Sequence, residues 1–285
     1  MLLQTLTSGL FLAAVYSLAA FGLAIVYGVL DILNFAHGAL LVMGAYLAFT
    51  FLERGMPLGL AAPLAVVSIG AVGVILQRLL FRRVERVPIA GLVMSIGLIA
   101  IANSVILTAY GPDQYRLPRL LEGSVTIAGT QLPQDRILVI AVAVIALGVT
   151  ELGISRAGWG KLLRATAEDD EAASLQGVPV ARVKTIAFAG GAALAAVAGV
   201  LIGTTAPFDA HLGESLLIKA FVIIIIGGVG STKGALVGAM ILGLAEAFSI
   251  TYLSTAIAQL LPLLVLAVVL FARPQGLFGR VTERT

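Results

Sequence analysis

The sequence predicts an all-α polytopic membrane protein of about eight or nine hydrophobic helices, some broken or re-entrant, with a short helix in a polar loop on one membrane face. Three observations carry this. Of 285 residues, 60% are hydrophobic and 12% charged, against about 45–50% and about 25% in an ordinary soluble domain. Charge-free runs approaching the roughly 20 apolar residues of a bilayer crossing recur along the whole chain. Charges gather in short clusters between them. A bilayer core has no water to satisfy an open sheet edge, so the crossing elements are helices. The same arithmetic excludes a soluble enzyme and a disordered chain. A net charge of only +3 leaves no basic surface for nucleic acid.

The charge-free runs are Met1–Leu30, Ile32–Leu52, Gly55–Gln77, Val87–Pro112, Ile137–Thr150, Thr185–Phe208, Ala220–Thr232, Gly234–Ala245 and Ala247–Ala272. Most cross alone. Ile137–Thr150 reaches spanning length only with Glu151 and its neighbours at an interface. Ala220–Thr232 and Gly234–Ala245 are short, and read as re-entrant, broken or tilted pieces. The first run has no Lys or Arg before it, so it lacks the charged start of a secretory signal and reads as a retained helix. All of this is one domain, 1–285, with a polar loop at 155–184 inside it.

Basic residues set the orientation. They cluster at Arg78, Arg82, Arg83 and Arg86; at Arg156, Lys161, Arg164, Arg182 and Lys184; and at Arg273, Arg280 and Arg284. The positive-inside rule puts all three clusters in the cytoplasm. The N-terminus then falls outside, the C-terminus inside, and 111–136 becomes the main external loop. For 216–246, two full crossings and one re-entrant pair satisfy the parity equally. Trp159, the single Trp, reads as an interface anchor.

Catalytic and cofactor chemistry finds little footing. There is no cysteine, and His37 and His211 are far apart, so no metal centre and no cofactor is expected. In Gly227-Gly228-Val229-Gly230-Ser231-Thr232-Lys233-Gly234 the order differs from G-x-x-x-x-G-K-[ST], and no strand precedes it. Any ATP hydrolysis belongs to another chain.

Small residues fall on regular faces. Ala187, Gly191, Ala195, Gly199 and Gly203 recur every four residues, as do Gly230, Gly234 and Gly238, and Ala235, Ala239 and Gly243. Such faces let membrane helices approach closely, and read first as packing seams. Two polar interruptions look different: Asp31, Asn34 and His37 with Gly38, and the cluster Gly227, Gly228 and Gly230. Broken segments in corresponding parts of two halves point to a transport path. Glu246, an ionisable residue inside a span, joins the path candidates. Lys219, near a span end, reads as snorkelling to the interface. Gln77 and Asn103 read as interhelical hydrogen-bonding residues.

The loop from Ser155 to Lys184 holds the acidic run Glu168-Asp169-Asp170-Glu171, then Gly177 and Pro179, a helix-stop pattern. Its segment Glu171-Ala172-Ala173-x-x-x-Gly177 resembles the E-A-A-x-x-x-G signature of ABC-importer permeases. Over almost its whole length the chain resembles the permease subunits of branched-chain amino acid ABC importers, the LivH type. Leu33-Asn34-Phe35-Ala36-His37-Gly38 with Met43-Gly44-Ala45-Tyr46 is similar to one family block. Arg164-Ala165, Ala167-Glu168-Asp169 and Ala173-Ser174-Leu175-x-Gly177 are similar to a second. Gly190–Gly199 and Lys219-Ala220-Phe221 through Gly227-Gly228-Val229-Gly230-Ser231 are similar to two more. Downstream of Gly177 the signature loosens: Ile186 lies near the expected isoleucine and the terminal Leu-Pro is missing.

The resemblance implies a bacterial inner-membrane permease that catalyses no bond chemistry. It implies as partners two cytoplasmic ATP-binding-cassette subunits, a second related permease and an extracytoplasmic binding protein. Arg164, Glu168, Asp169, Glu171, Ala172, Ala173 and Gly177 would form the ATPase-coupling helix, and Gly44 joins the path candidates. Relatives for urea, short amides and other amino acids share these blocks, so the cargo stays open among them. An autonomous secondary transporter or channel is the alternative from another class.

Overall fold

The computed structural model describes residues 1–85, 87–127, 129–156, 158–273 and 275–278. Arg86, Arg280 and Arg284 of the basic clusters lie outside them. The chain folds as α1 (Leu2–Leu30), α2 (Ala36–Glu53), α3 (Leu58–Leu76), a π-helical turn Gln77–Phe81, α4 (Arg82–Val84) and α5 (Pro88–Tyr110). A hairpin of β1 (Ser124–Ile127) and β2 (Thr130–Pro133) follows. Then come α6 (Gln134–Arg156), α7 (Gly158–Glu168), α8 (Asp170–Leu175), α9 (Val180–Thr205), α10 (Leu212–Gly227), α11 (Thr232–Tyr252) and α12 (Thr255–Ala272). Among the described residues, eight helices are long and apolar enough to cross a membrane. This is an all-α polytopic membrane fold.

The hairpin is the one departure from an all-helical chain among the described residues. Ser124 pairs with Pro133 and Val125 with Leu132 in antiparallel register. It sits in the polar stretch between α5 and α6, where water satisfies the open edges that a bilayer would leave bare.

The ends of the bundle differ. One, the basic end, gathers the C-termini of α1, α6, α10 and α12 and the N-termini of α9 and α11. There the tail bonds back to α10, Leu277 N donating to Ile226 O at 2.8 Å and Phe278 N to Gly227 O at 2.9 Å. At the far end Thr5 in α1 bonds Thr251 in α11 at 3.3 Å, and Arg136 in α6 donates to Ser8 in α1 at 2.6 Å. An aromatic cluster of Tyr46, Phe49, Tyr110, Tyr115 and Phe208 packs there, with ring centroids as close as 4.6 Å. Tyr115 and Phe208 exchange backbone hydrogen bonds of 2.9 and 2.8 Å.

α1 and α9 are the centre. α1 packs against α6, α9, α10 and α11, and α9 against α1, α2 and α3. The small-residue face of α9 is what admits them: a Cβ on Gly191 would strike the Gly22 carbonyl of α1, and one on Gly199 the Leu41 carbonyl of α2. α3, α5, α6 and α12 form a belt whose exposed Val93, Ile101, Val144, Leu264 and Val268 suit lipid.

Two helices begin in mid-bundle. After α1 ends at the basic end, residues 31–35 climb back without helix, and α2 starts where His37 Nε2 meets the Ala19 carbonyl at 3.0 Å. Ala19 is 11 residues from Leu30, about 16 Å along an α1 of about 43 Å. From the other side, α9 reaches the far end, residues 206–211 descend without helix, and α10 starts with Gly213 against the Gly38 backbone. α10 therefore covers only about 24 Å. The 216–246 region holds one broken crossing and one full one, α11.

Candidate functional site

The basic end carries an open cleft of about 1080 Å³ between the end of α1, the α10–α11 turn, α7, α8 and the tail. Asp31, Glu85, Glu151, Glu168, Asp169 and Asp170 line it together with Arg164, Lys184 and Lys233. The polar loop beside it folds as two helices rather than one, because Asp169 leaves α7 in an extended conformation and starts α8. Its carboxylate accepts from Ala172 N at 2.8 Å, an N-cap worth about 1 kcal/mol. The far end of α8 is closed by Gly177 at φ +84°, with Val178 N donating to Ala173 O at 3.1 Å, a left-handed stop that glycine adopts without cost.

α8 is two-faced. Ala173 is buried against the bundle, while Glu171, Ala172 and Leu175 face outward, Leu175 at 90% exposure. Its inner attachment is Lys184, 6% exposed, in the second turn of α9. Lys184 Nζ donates to Asp170 Oδ2 at 2.7 Å and to Glu85 Oε2 at 3.3 Å. Gln77 Nε2, from the π-turn, donates to Glu85 Oε1 at 2.7 Å. One lysine thus ties α8 to α9 and to the end of α3.

At mid-depth lie Asn34, His37 and Gly38. Asn34 is 1% exposed, and neither its Oδ1 nor its Nδ2 has a hydrogen-bond partner among the described residues; nor has His37 Nδ1. With the Ala19 carbonyl accepting from Nε2, a neutral His37 presents Nδ1 as an acceptor. Buried polar atoms without partners are uncommon in folded proteins. Gly44 lies about two helical turns further along α2, its Cα facing Ala196 so closely that a side chain would meet the α9 backbone.

Gly227, Gly228 and Gly230 lie at the basic end, about a half-bundle away from Asn34 and His37. They form the tight turn between α10 and α11. Gly228 and Gly230 hold φ of +100° and +77°, and Gly227 packs directly on the Gly234 backbone. Ser231 caps α11 by accepting from Gly234 N at 3.0 Å. The element that faces the α2 break is instead the 206–211 descent ending at Gly213.

Glu246 is buried in α11, and Lys219 does not snorkel. Lys219 Nζ donates to Glu246 Oε1 at 2.6 Å and to Tyr16 Oη at 2.7 Å, while Tyr16 Oη donates to Glu246 Oε2 at 2.9 Å. The three join α1, α10 and α11 in a closed triangle. Composition flags each charge but not its partner, 27 or more residues away. Sequence pattern does not single out Glu85 and Glu214, whose only signal is a charge at a helix end, and it shows Asp170 within the acidic run but not its bond to Lys184.

The family model described as "Branched-chain amino acid transport system / permease component" matches residues 5–270. The high-affinity branched-chain amino acid transport system permease protein LivH of Escherichia coli K12 is 32% identical, over 98% of this chain and 96% of that protein. BraD of Pseudomonas aeruginosa, named for the same system, is also 32% identical over 98% of this chain and 96% of its own length. A probable LivH from Methanocaldococcus jannaschii is 27% identical over 94% of this chain and 90% of that protein. A multi-pass bundle matched end to end in this way is a transport subunit and not an enzyme, and the chain belongs to the family of permease components of branched-chain amino acid transport systems.

Proposed function

We propose that this chain is one membrane-spanning subunit of an ATP-driven importer of branched-chain, hydrophobic amino acids in a bacterial inner membrane. A second related permease, two cytoplasmic ATPases and an extracytoplasmic binding protein complete it. In this reading the basic end is cytoplasmic and the N-terminus outside; the clustered arginines and lysines support it through the positive-inside rule. The observation that carries the reading is α8: a short, capped helix at the basic end, with Glu171, Ala172 and an exposed Leu175 turned away from the bundle. An apolar knob ringed by small and acidic residues suits a groove on a partner.

Mechanism follows from the attachments. A partner that moves α8 pulls on Asp170, and Lys184 passes that pull to α9 and, through Glu85, to α3. α9 bears on α2 at Gly199 and Gly44, so the displacement reaches the break at Asn34, His37 and Gly38. The Gly227–Gly230 turn is the pivot between α10 and α11, and Glu246 with Lys219 gates the far half. Arg164, Glu168, Asp169, Glu171, Ala172, Ala173 and Gly177 are the coupling residues.

Two substitutions test this with the purified complex and leucine uptake in proteoliposomes. Leu175→Asp is expected to lower ATPase co-purification at least tenfold without changing the amount of folded permease. Lys184→Met is expected to keep the ATPase bound while uptake falls at least tenfold and ATP hydrolysis stops responding to loaded binding protein. Leucine uptake undiminished without any ATPase chain would overturn the reading.

A further inference from the structure

The cleft at the basic end carries acceptors that nothing else in the chain serves. Glu151 of α6 and Thr166 of α7 both line it. Glu151 Oε2 and Thr166 Oγ1 are buried and have no hydrogen-bond partner among the described residues. Thr166 as a whole is only 3% exposed. Burying a carboxylate oxygen is costly unless a donor or a cation meets it. Lys184 lines the same cleft but is held by Asp170 at 2.7 Å and Glu85 at 3.3 Å, and Glu151 makes no ion pair among the described residues. The arrangement calls for a cationic donor from outside the chain.

Another part of the lining has the opposite character. The 21-residue α11 starts here, with Ser231, Thr232 and Lys233 in the wall. Ser231 takes the Gly234 N–H, while the N–H groups of Thr232 and Lys233 belong to the turn that a helix leaves without acceptors of its own. That helix start carries partial positive charge. Lys233 adds a full charge and makes no ion pair among the described residues. Ile25, Leu163, Val229 and Phe278 supply apolar surface to the same cavity. Its volume of about 1080 Å³ lies at the upper limit of ordinary small-molecule sites, about 300–1,000 Å³.

We propose that the basic-end cleft is a binding site for a zwitterionic amino acid with an apolar side chain. Glu151 and Thr166 receive its ammonium group, and Lys233 with the start of α11 its carboxylate. The ligand enters from the cytoplasm, so the site requires no path through this chain. That the ligand is the imported product rests on the cargo and orientation proposed above; the complementarity of the lining does not. Asp169 and Asp170 line the cleft as well, one capping α8 and the other tied to Lys184. An ammonium group bound beside them competes with Lys184 for Asp170, loosens α8 and slows further import. The site is therefore a product sensor.

The assembled complex in lipid nanodiscs, prepared without binding protein, exposes both faces to ligand. Equilibrium dialysis is expected to show binding of radiolabelled leucine that weakens at least tenfold in Glu151→Gln and in Lys233→Met, each of which loses a charge-assisted contact. Thr166→Val, an isosteric change at a buried position, should weaken it in the same direction. Isopentylamine, which lacks the carboxylate, and isocaproate, which lacks the ammonium group, should each displace leucine at least tenfold less well than leucine itself. In proteoliposomes, leucine on the ATPase side should lower the ATP hydrolysis stimulated by loaded binding protein in the parent and not in Glu151→Gln. No leucine binding, or equal binding in the parent and all three variants, would overturn the site. Displacement by isopentylamine as strong as by leucine would overturn the amino-acid assignment in favour of a simple cation site. Variant-sensitive binding that leaves hydrolysis unchanged would overturn the sensor role. Variant-sensitive binding in a complex that imports no leucine would sink the proposed cargo and leave the site standing.

Discussion

Replacing Glu246 by leucine is expected to destabilise the permease by about 3–5 kcal/mol, because it leaves the Lys219 ammonium desolvated with Tyr16 as its one remaining partner. Side-chain exposure is 21% for Lys219 and 10% for Glu246, so water screens the pair little. The companion variant Glu246→Leu with Lys219→Met removes both charges and should recover most of that loss, since an apolar pair needs no desolvation. Tyr16→Phe, which breaks two hydrogen bonds of 2.7 and 2.9 Å, should cost about 1–3 kcal/mol. Thermal unfolding of the detergent-solubilised permease, followed by fluorescence size-exclusion, measures each of these variants. Near-additive losses in the double-mutant cycle would show that the charges are not coupled. The double apolar variant should be stable yet deficient in uptake. α10 starts in mid-bundle and has little length with which to fix its own depth, so the ion pair sets its register against α1 and α11.

The second large effect is steric. Gly199→Val places its Cβ on the Leu41 carbonyl, and carbonyl oxygens of a packed helix do not step aside as flexible side chains do. The expected cost is about 3 kcal/mol or more, at or beyond the upper end of ordinary core overpacking. Gly190, nine residues earlier on the same helix, faces open space: a Cβ there would meet nothing within 4 Å. Gly190→Ala should therefore be neutral or stabilise by up to about 1 kcal/mol through helix propensity. Equal melting temperatures for the two variants would refute the close α2–α9 approach.

The contrast between these two glycines shows what a sequence discloses in a membrane fold. The four-residue recurrence from Ala187 to Gly203 is legible because a helix repeats its face every 3.6 residues. Gly190 falls off that face, and the structure leaves it exposed. Apolar run length locates the eight long helices and the shorter α10, yet misplaces the starts of α2 and α10, which begin in mid-bundle. Ile32–Phe35 is as apolar as helix but climbs without forming one. α10 begins at Leu212, eight residues before its charge-free run, because Glu214 and Lys219 are partnered by Asn103 and Glu246 from other helices. Local pattern carries no record of partners that distant. The short helix α8 is legible from Glu171 to Gly177; the lysine that ties it to α9, Lys184, is not, since a basic residue at a membrane boundary is ordinary by composition alone.

The central position of α1 has a consequence for biogenesis. It leaves the ribosome well before its main partners, since most of its surface is covered by α9 and α11, which are synthesised about 150 residues or more later. Until then it must reside in lipid with α6 as its main neighbour and little to hide a polar face. Its side chains are correspondingly apolar on every side, with Tyr16 and Ser17 as the polar groups at its middle. Ser17 satisfies itself at once, donating to the Ala13 carbonyl at 2.6 Å. Tyr16 finds its final partners only when α10 and α11 arrive. A chain stopped after α6 should insert in the membrane and yet be cleared by proteolysis, its first helix still waiting for its last.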